Sequence, residues 1–209
     1  ITQLNADRKF DSWNWGSYPL LNYNFKRNIK EVANLRRTEK CIPPIIHYIW
    51  FGNKQIPEEQ RRFITGWRKI CVGYKFILWN EFNYDINKCA YTKEAFEEGD
   101  YARVSDYARM DILYHYGGFY MDTDVELLKS LDVLRGYQAV FAYGEWPVVN
   151  SGIICGTVPG NRLIQRLRDE PRSQIHYYDS AGTPDIRTNC FYEDEVLKKN
   201  GFRGNFTSQ

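Results

Sequence analysis

The chain has 209 residues, of which 43% are hydrophobic and 16% aromatic, which is enough apolar material for one domain with a substantial core. Its formal net charge of +2 is too balanced to predict nucleic-acid binding, and no apolar run approaches the roughly 18 residues that span a bilayer. The five cysteines are scattered without a C-x-x-C pair. We therefore expect reduced thiols in a cytoplasmic protein rather than disulfides or a zinc site.

Residues 1–40 differ from the rest of the chain. They hold eight Lys or Arg but four Asp or Glu, with two tryptophans among the basic residues. We interpret them as a basic, aromatic-rich N-terminal extension that precedes a domain over residues 41–209. The favoured hypothesis is a helix packed on that domain, and the alternative is peripheral contact with a membrane surface.

From residue 41 onward, strand and helix patterns alternate. The sequence predicts strands at 45–51, 74–79, 119–121, 138–143 and 151–156, and helices at 57–70, 101–118 and 160–170. Pro57 and the two glutamates after it are typical of a helix start. The alternation predicts an α/β fold with a mixed, mainly parallel central sheet flanked by helices.

An acidic pair closes the third predicted strand, in "GGFYMDTDVELL" (117–128). In extended backbone, side chains two positions apart point to the same side, so Asp122 and Asp124 converge if the strand continues through them. A hard divalent ion would relieve their repulsion, because oxygen ligands favour Mg²⁺ or Mn²⁺. The alternative is an ordinary acidic turn, but ligands of open α/β sheets bind beyond the carboxyl ends of strands.

The helix before this pair carries a polar trio. Ser105, Asp106 and Arg109 fall within one arc of the helix. Arg109 can neutralise a diphosphate or hold a carboxylate, and Asp106 can accept hydrogen bonds from hydroxyl groups. The alternative is a solvated ion pair three residues apart, worth a few tenths of a kcal/mol.

Two stretches, "IPPIIHYIWFG" and "SDYARMDILYHYGGFYMDTDVELLKSLD", resemble the DXD-containing sugar transferases of glycosyltransferase family 32, including those of the capsular-polysaccharide type. The resemblance covers about residues 42–160. It implies a GT-A-like nucleotide-binding fold and a hexosyltransferase that retains anomeric configuration. It also implies Mn²⁺ or Mg²⁺ and a nucleotide-sugar donor, UDP-sugar favoured and GDP-sugar the alternative.

The resemblance also implies roles for individual residues. Asp124 would ligate the metal with help from Asp122, and these two with Arg109 would form the catalytic group. The nucleotide-sugar would be bound by Trp50, Ser105, Asp106, Arg109, Tyr120 and Asp122, with Trp50 stacking on the base. The family usually continues beyond the region that matches residue 190, so we expect the C-terminal part of the domain to be truncated or replaced.

The acceptor site is predicted in the loop "YGEWPVVNSG", where Glu145, Trp146 and Asn150 combine an acid, an indole and an amide suited to a sugar. The alternative is a surface turn. The leading functional prediction is transfer of sugar to a glycan acceptor during surface or capsular polysaccharide synthesis. The alternatives are a toxin-like protein glycosyltransferase and a degenerate module that binds a nucleotide-sugar or glycan without turnover.

Overall fold

A computed structural model describes residues 41–142, 149–170, 175–185 and 187–200. The elements in chain order are β1 (Ile45–Ile49), α1 (Glu58–Ile70), β2 (Lys75–Trp79), a 3₁₀ helix (Ile86–Lys88), α2 (Ala90–Glu97), α3 (Tyr101–Tyr116), β3 (Gly118–Tyr120), a second 3₁₀ helix (Leu131–Leu134), β4 (Ala139–Phe141), β5 (Cys155–Thr157), α4 (Arg162–Asp169) and α5 (Asn189–Lys199). The predicted N-terminal extension lies outside the described residues.

The strands form one mixed sheet in the order β2-β1-β3-β5-β4. β1 pairs in parallel with both β2 and β3, whereas β5 is antiparallel to its neighbours β3 and β4. Four of the five strands therefore run in one direction. The α/β class and the mixed, mainly parallel sheet are confirmed.

The core lies on both faces of the sheet because strand side chains alternate. On one face, Ile46 and Phe119 pack with Trp67 of α1. On the other face, Ile49 and Tyr120 pack with apolar side chains of α2, α3, α4 and α5. Tyr120 is thereby directed toward the layer that contains α3. In the described part of the chain, no helix has both the length and the apolar character needed to cross a membrane.

Two glycines allow α3 to lead directly into β3. Gly117 ends the helix with φ of 63°, and Gly118 begins the strand with φ of 92°. A Cβ at Gly117 would lie 2.7 Å from Pro159 Cδ, and one at Gly118 would lie 2.7 Å from the Ile45 carbonyl oxygen. The chain therefore reverses here without a loop. This short reversal fixes α3 relative to the residues that follow β3.

Several predicted boundaries are corrected by the structure. The predicted strand 151–156 is wrong over its first half, because residues 151–153 form a turn and only Cys155–Thr157 pair in the sheet. The α2 and α5 helices were not predicted. All five cysteines are unpaired, in agreement with the sequence analysis.

Candidate active site

The acidic pair follows the carboxyl end of β3, but not in an extended strand. β3 ends at Tyr120, and the Val125 amide donates to the Asp122 carbonyl at 3.2 Å, so the chain turns between these residues. The strand alternation from which we predicted convergence is therefore wrong. Thr123 is buried, whereas Asp124 is exposed and the Asp122 side chain is 39% exposed.

Asp122 is held by two partners at one carboxylate oxygen. The Tyr120 hydroxyl donates to Asp122 Oδ1 at 2.7 Å, and Arg109 Nη2 lies 3.4 Å from the same oxygen. The surrounding protein shields this carboxylate from water and raises its pKa, although Arg109 and the Tyr120 hydroxyl act in the opposite direction. The pKa of Asp124 is likewise raised, because neighbouring protein displaces part of the water around its carboxylate although the residue is exposed. A bound cation would stabilise the ionised form of both groups.

Arg109 joins the helix trio to Asp122. It is 3% exposed, its guanidinium lies 4.8 Å from the centre of the Tyr120 ring, and Nη2 is 2.9 Å from Asp106 Oδ1. Nε donates to the Ser105 carbonyl at 3.2 Å. Burial lowers the pKa of Arg109, but Asp122, Tyr120 and Asp106 raise it above the ordinary value, so it stays charged. The solvated ion pair considered as the alternative is wrong, since both partners are buried.

A turn at residues 150–152 lies directly against this group. The Asp122 amide donates to the Gly152 carbonyl at 2.8 Å, and a Cβ at Gly152 would lie only 2.2 Å from Asp122 Oδ2. The Asn150 side chain accepts from the Gly152 amide at 2.9 Å, which shapes the turn. Asn150 is therefore adjacent to the site, while Glu145 and Trp146 lie outside the described residues.

Trp50 is at the same edge of the sheet, because it follows β1, which is parallel to β3. Its indole nitrogen donates to the Lys54 carbonyl at 2.7 Å, which fixes one edge of the ring. Gly52, with φ of 91°, packs against the Tyr101 ring at the start of α3. The loop after β1 therefore lies against the first turn of α3, one turn before Ser105. Stacking of Trp50 on a base stays a prediction.

The donor set fits a hard divalent ion. Asp122 and Asp124 offer only oxygen, and the described ranges contain no group of three or more His, Cys, Asp or Glu able to hold a metal. Mg²⁺-type ions commonly bind through one or two carboxylates with water and substrate phosphate completing the shell. The residues present are therefore suited to an ion that arrives with a phosphorylated donor.

The sequence analysis missed two residues that adjoin the site, Ser151 and Glu193. Ser151 accepts from Arg109 Nη1 at 3.4 Å, and its backbone amide donates to Glu193 Oε2 at 3.0 Å. Glu193 is 4% exposed, and burial raises its pKa. Its only sequence signal was an acid at a position that helical spacing places beside Val196 and Leu197, on the buried side of α5.

Comparison with known proteins agrees with this arrangement. Residues 57–141 match the family described as "Glycosyltransferase sugar-binding region containing DXD motif". Inositol phosphoceramide mannosyltransferase 3 of Schizosaccharomyces pombe is 28% identical over 178 residues, covering 78% of this chain and 48% of that protein. Subversion of eukaryotic traffic protein A of Legionella pneumophila is 27% identical over 164 residues, covering 63% of this chain and 25% of that protein. The chain thus spans less than half the length of these curated relatives.

Among solved structures, PaToxG glycosyltransferase is similar with a TM-score of 0.59 and 18% identity, covering 87% of this chain and 76% of that one. At this identity the likeness establishes the fold, which is GT-A-like as predicted. The family match contains Asp106, Arg109, Tyr120 and the Asp122–Asp124 pair, which the structure brings together at one edge of the sheet. Residues 57–141 are therefore similar to the DXD-type sugar-binding region of glycosyltransferases, and the chain has a GT-A-like fold.

Proposed function

We propose that this chain transfers a sugar from a nucleotide-sugar donor to a glycan acceptor, with a divalent cation and with retention of anomeric configuration. The observation that carries the proposal is the position of Asp122. It lies beyond the carboxyl end of β3, oriented by Tyr120 at 2.7 Å and Arg109 at 3.4 Å, next to the exposed Asp124. In a sheet of this kind, that edge is where ligands bind.

In this proposal Asp124 holds the cation directly and Asp122 supports it. When bound, Mn²⁺ or Mg²⁺ would act as a Lewis acid that stabilises the negative charge on the departing diphosphate. The chain's own residues orient the acidic side chains and neutralise part of their charge. Arg109 keeps Asp122 and Asp106 in fixed directions through its buried charge, and the Tyr120 hydroxyl fixes the Asp122 oxygen that Arg109 contacts.

The proposed transfer needs no nucleophilic side chain of the protein. The bond between the sugar C1 and the diphosphate oxygen breaks, and a bond between C1 and the acceptor oxygen forms. The acceptor's proton passes to a donor phosphate oxygen, which leaves a nucleoside diphosphate and a glycoside. A covalent intermediate would require a free carboxylate. Asp106 and Glu193 are both buried, Asp106 paired with Arg109 and Glu193 hydrogen-bonded to Ser151, so the proposal uses attack on the same face from which the diphosphate leaves.

The named relatives suggest which substrates to test first. Inositol phosphoceramide mannosyltransferase 3 is named for mannose transfer to a lipid acceptor. Its name supports mannose as the first donor sugar to test. It also supports a glycolipid as an acceptor to test in addition to a surface or capsular polysaccharide. UDP remains our favoured nucleotide and GDP the alternative. A lipid-linked acceptor agrees with the hypothesis of a cytoplasmic protein that touches a membrane through residues 1–40.

A second candidate is transfer to a protein side chain. It is favoured by similarity to a Legionella protein named for subversion of eukaryotic traffic. The two candidates differ only in acceptor, so donor binding is common to both. A binding module without turnover predicts donor binding and no sugar release.

The test is calorimetric titration with UDP and GDP, each with and without Mn²⁺, followed by turnover of the corresponding mannose and glucose donors. We expect metal-dependent binding of one nucleotide, and we expect Asp124→Asn to abolish transfer while its melting temperature stays close to that of the wild type. Glu126→Gln is the matched control, because Glu126 is an exposed carboxylate two residues further along. Wild-type turnover by Asp124→Asn would refute the metal role, and binding without any turnover would favour the binding module.

A further inference from the structure

A buried carboxylate on α5, that of Glu193, binds the turn that lies against Arg109 and Asp122. Glu193 Oε2 accepts from the Ser151 amide at 3.0 Å, and Oε1 accepts from Asn189 Nδ2 at 3.1 Å and from the Ser151 hydroxyl. Burying a carboxylate is costly unless its oxygens are hydrogen-bonded, and here both oxygens are. Glu193 lies outside residues 57–141, which match the family model.

Ser151 connects this carboxylate to the charged site. Its hydroxyl donates to Glu193, so its lone pairs are left to accept from Arg109 Nη1 at 3.4 Å and Asn189 Nδ2 at 3.3 Å. The next residue in the same turn, Gly152, accepts from the Asp122 amide at 2.8 Å. The turn that Glu193 holds therefore contacts both Arg109 and Asp122.

Both α3 and α5 contribute side chains to a small cavity beside Glu193. Its volume is about 10 Å³, and Asp106, Asn189 and Glu193 are among the residues that line it. This is roughly the space of one water molecule. A shift of Glu193 therefore has little room to be absorbed before it reaches Asp106 or the turn at Ser151.

We propose that Glu193 is a positioning residue for sugar transfer, which acts through the Ser151 hydroxyl on Arg109 and through the 150–152 turn on Asp122. The inference rests on the proposed function for its catalytic consequence. An amide at this position would present an N–H donor to Ser151 or Asn189. The Ser151 hydroxyl would then reverse and direct its proton at Arg109, which donates to it in the wild type.

The first readout needs no turnover. The side-chain Nε–H signal of Arg109 is recorded by NMR in the full chain, in wild type, Glu193→Gln and Ser151→Ala. Glu195→Gln is the matched control, because Glu195 is exposed on the same helix. We expect the Arg109 signal to shift in Glu193→Gln and in Ser151→Ala, and to stay at its wild-type position in Glu195→Gln. An unshifted Arg109 signal in Glu193→Gln and Ser151→Ala overturns the proposal.

The second readout is kcat/KM for donor turnover with the same variants. We expect a loss of roughly 10- to 100-fold in Glu193→Gln, the range typical when the hydrogen-bonded surroundings of a metal site are disturbed. The double variant with Ser151→Ala should lose no more than the worse single variant, because both changes break one relay. Additive losses, or wild-type kcat/KM in both single variants, overturn the positioning role.

The two readouts also separate this inference from the proposed function. If the wild type turns over no nucleotide-sugar, the proposed function fails, while the Arg109 signal still decides whether the relay exists. If Glu193→Gln does not fold, Ser151→Ala decides alone, since it removes one hydroxyl and leaves the backbone bond to Glu193 in place.

Discussion

Substituting Gly152 with alanine tests whether the exact position of the Asp122 carboxylate matters. The added Cβ would lie 2.2 Å from Asp122 Oδ2, 3.0 Å from Arg109 Nη1 and 3.1 Å from Asn150 Oδ1, whereas ordinary contacts to a Cβ begin at 3.4 Å. The carboxylate must therefore retreat by about 1 Å. A displacement of that size at a reacting centre costs on the order of 100-fold in rate.

The stability cost of this substitution should be much smaller than the activity cost. Asp122 is partly exposed, so its side chain can rotate away, and we expect a loss near the lower end of the roughly 1–3 kcal/mol seen for overpacking. The free energy of unfolding from denaturant titration and kcat/KM for donor turnover measure the two effects on the same preparation. Metal-dependent nucleotide binding by calorimetry reports whether the donor site has been disturbed.

Gly66→Ala is the matched control for Gly152→Ala. Gly66 lies in α1 with no atom within 4 Å of an added Cβ, so alanine should retain turnover and stabilise the helix by about 0.5–1 kcal/mol. Wild-type kcat/KM in Gly152→Ala would refute the reasoning, because it would mean that transfer tolerates a displaced Asp122. A collapse of stability in the same variant would mean that the turn, and not the carboxylate, had failed.

Two further predictions concern residues on β1 and just after it. His47 is buried, with its Nδ1 accepting from the Trp79 indole at 3.0 Å and its Nε2 bonded to the Gly117 carbonyl at 2.9 Å, and burial lowers its pKa to about 4. The unfolded chain therefore takes up this proton first, so about 2 kcal/mol of stability should be lost as the pH falls from 6.5 to 5. The loss should be smaller in His47→Gln, and an identical pH profile of denaturant unfolding would contradict it. Trp50→Ala should weaken nucleotide binding by about 1–3 kcal/mol while Trp50→Phe retains more of the affinity, and equal dissociation constants by calorimetry would exclude base stacking.

The fold was largely predictable where local signals agree with tertiary packing. Pro57 with two glutamates marks the start of α1, and two glycines end α3 where the chain must reverse. The trio on α3 could also be predicted, because helical geometry alone places Asp106 and Arg109 on one face. Their burial could not, since it depends on which elements cover that face.

The remainder of the site depends on contacts between distant segments. The Ser151–Glu193 bond joins residues 42 positions apart, and no periodicity in either segment predicts it. The α5 helix was missed because its apolar face is interrupted. Glu193 is buried on that face, but in the sequence an acidic residue indicates a position that faces solvent. The acidic pair was predicted wrongly for a different reason, because strand alternation was extended through Asp124, four residues beyond the last paired residue, Tyr120.

The hydrogen bonds of Arg109 limit what it can do in the reaction. Its Nε donates to the Ser105 carbonyl, its Nη1 to Ser151, and its Nη2 lies between Asp106 and Asp122. With 3% of its surface exposed, it has little freedom to reach a donor diphosphate. We therefore expect Arg109 to organise the acidic group rather than to bind phosphate. One guanidinium cannot balance Asp106, Asp122 and Asp124 together, so an incoming diphosphate would meet net negative charge unless a cation accompanies it. That imbalance is the physical reason to expect donor binding to require the metal.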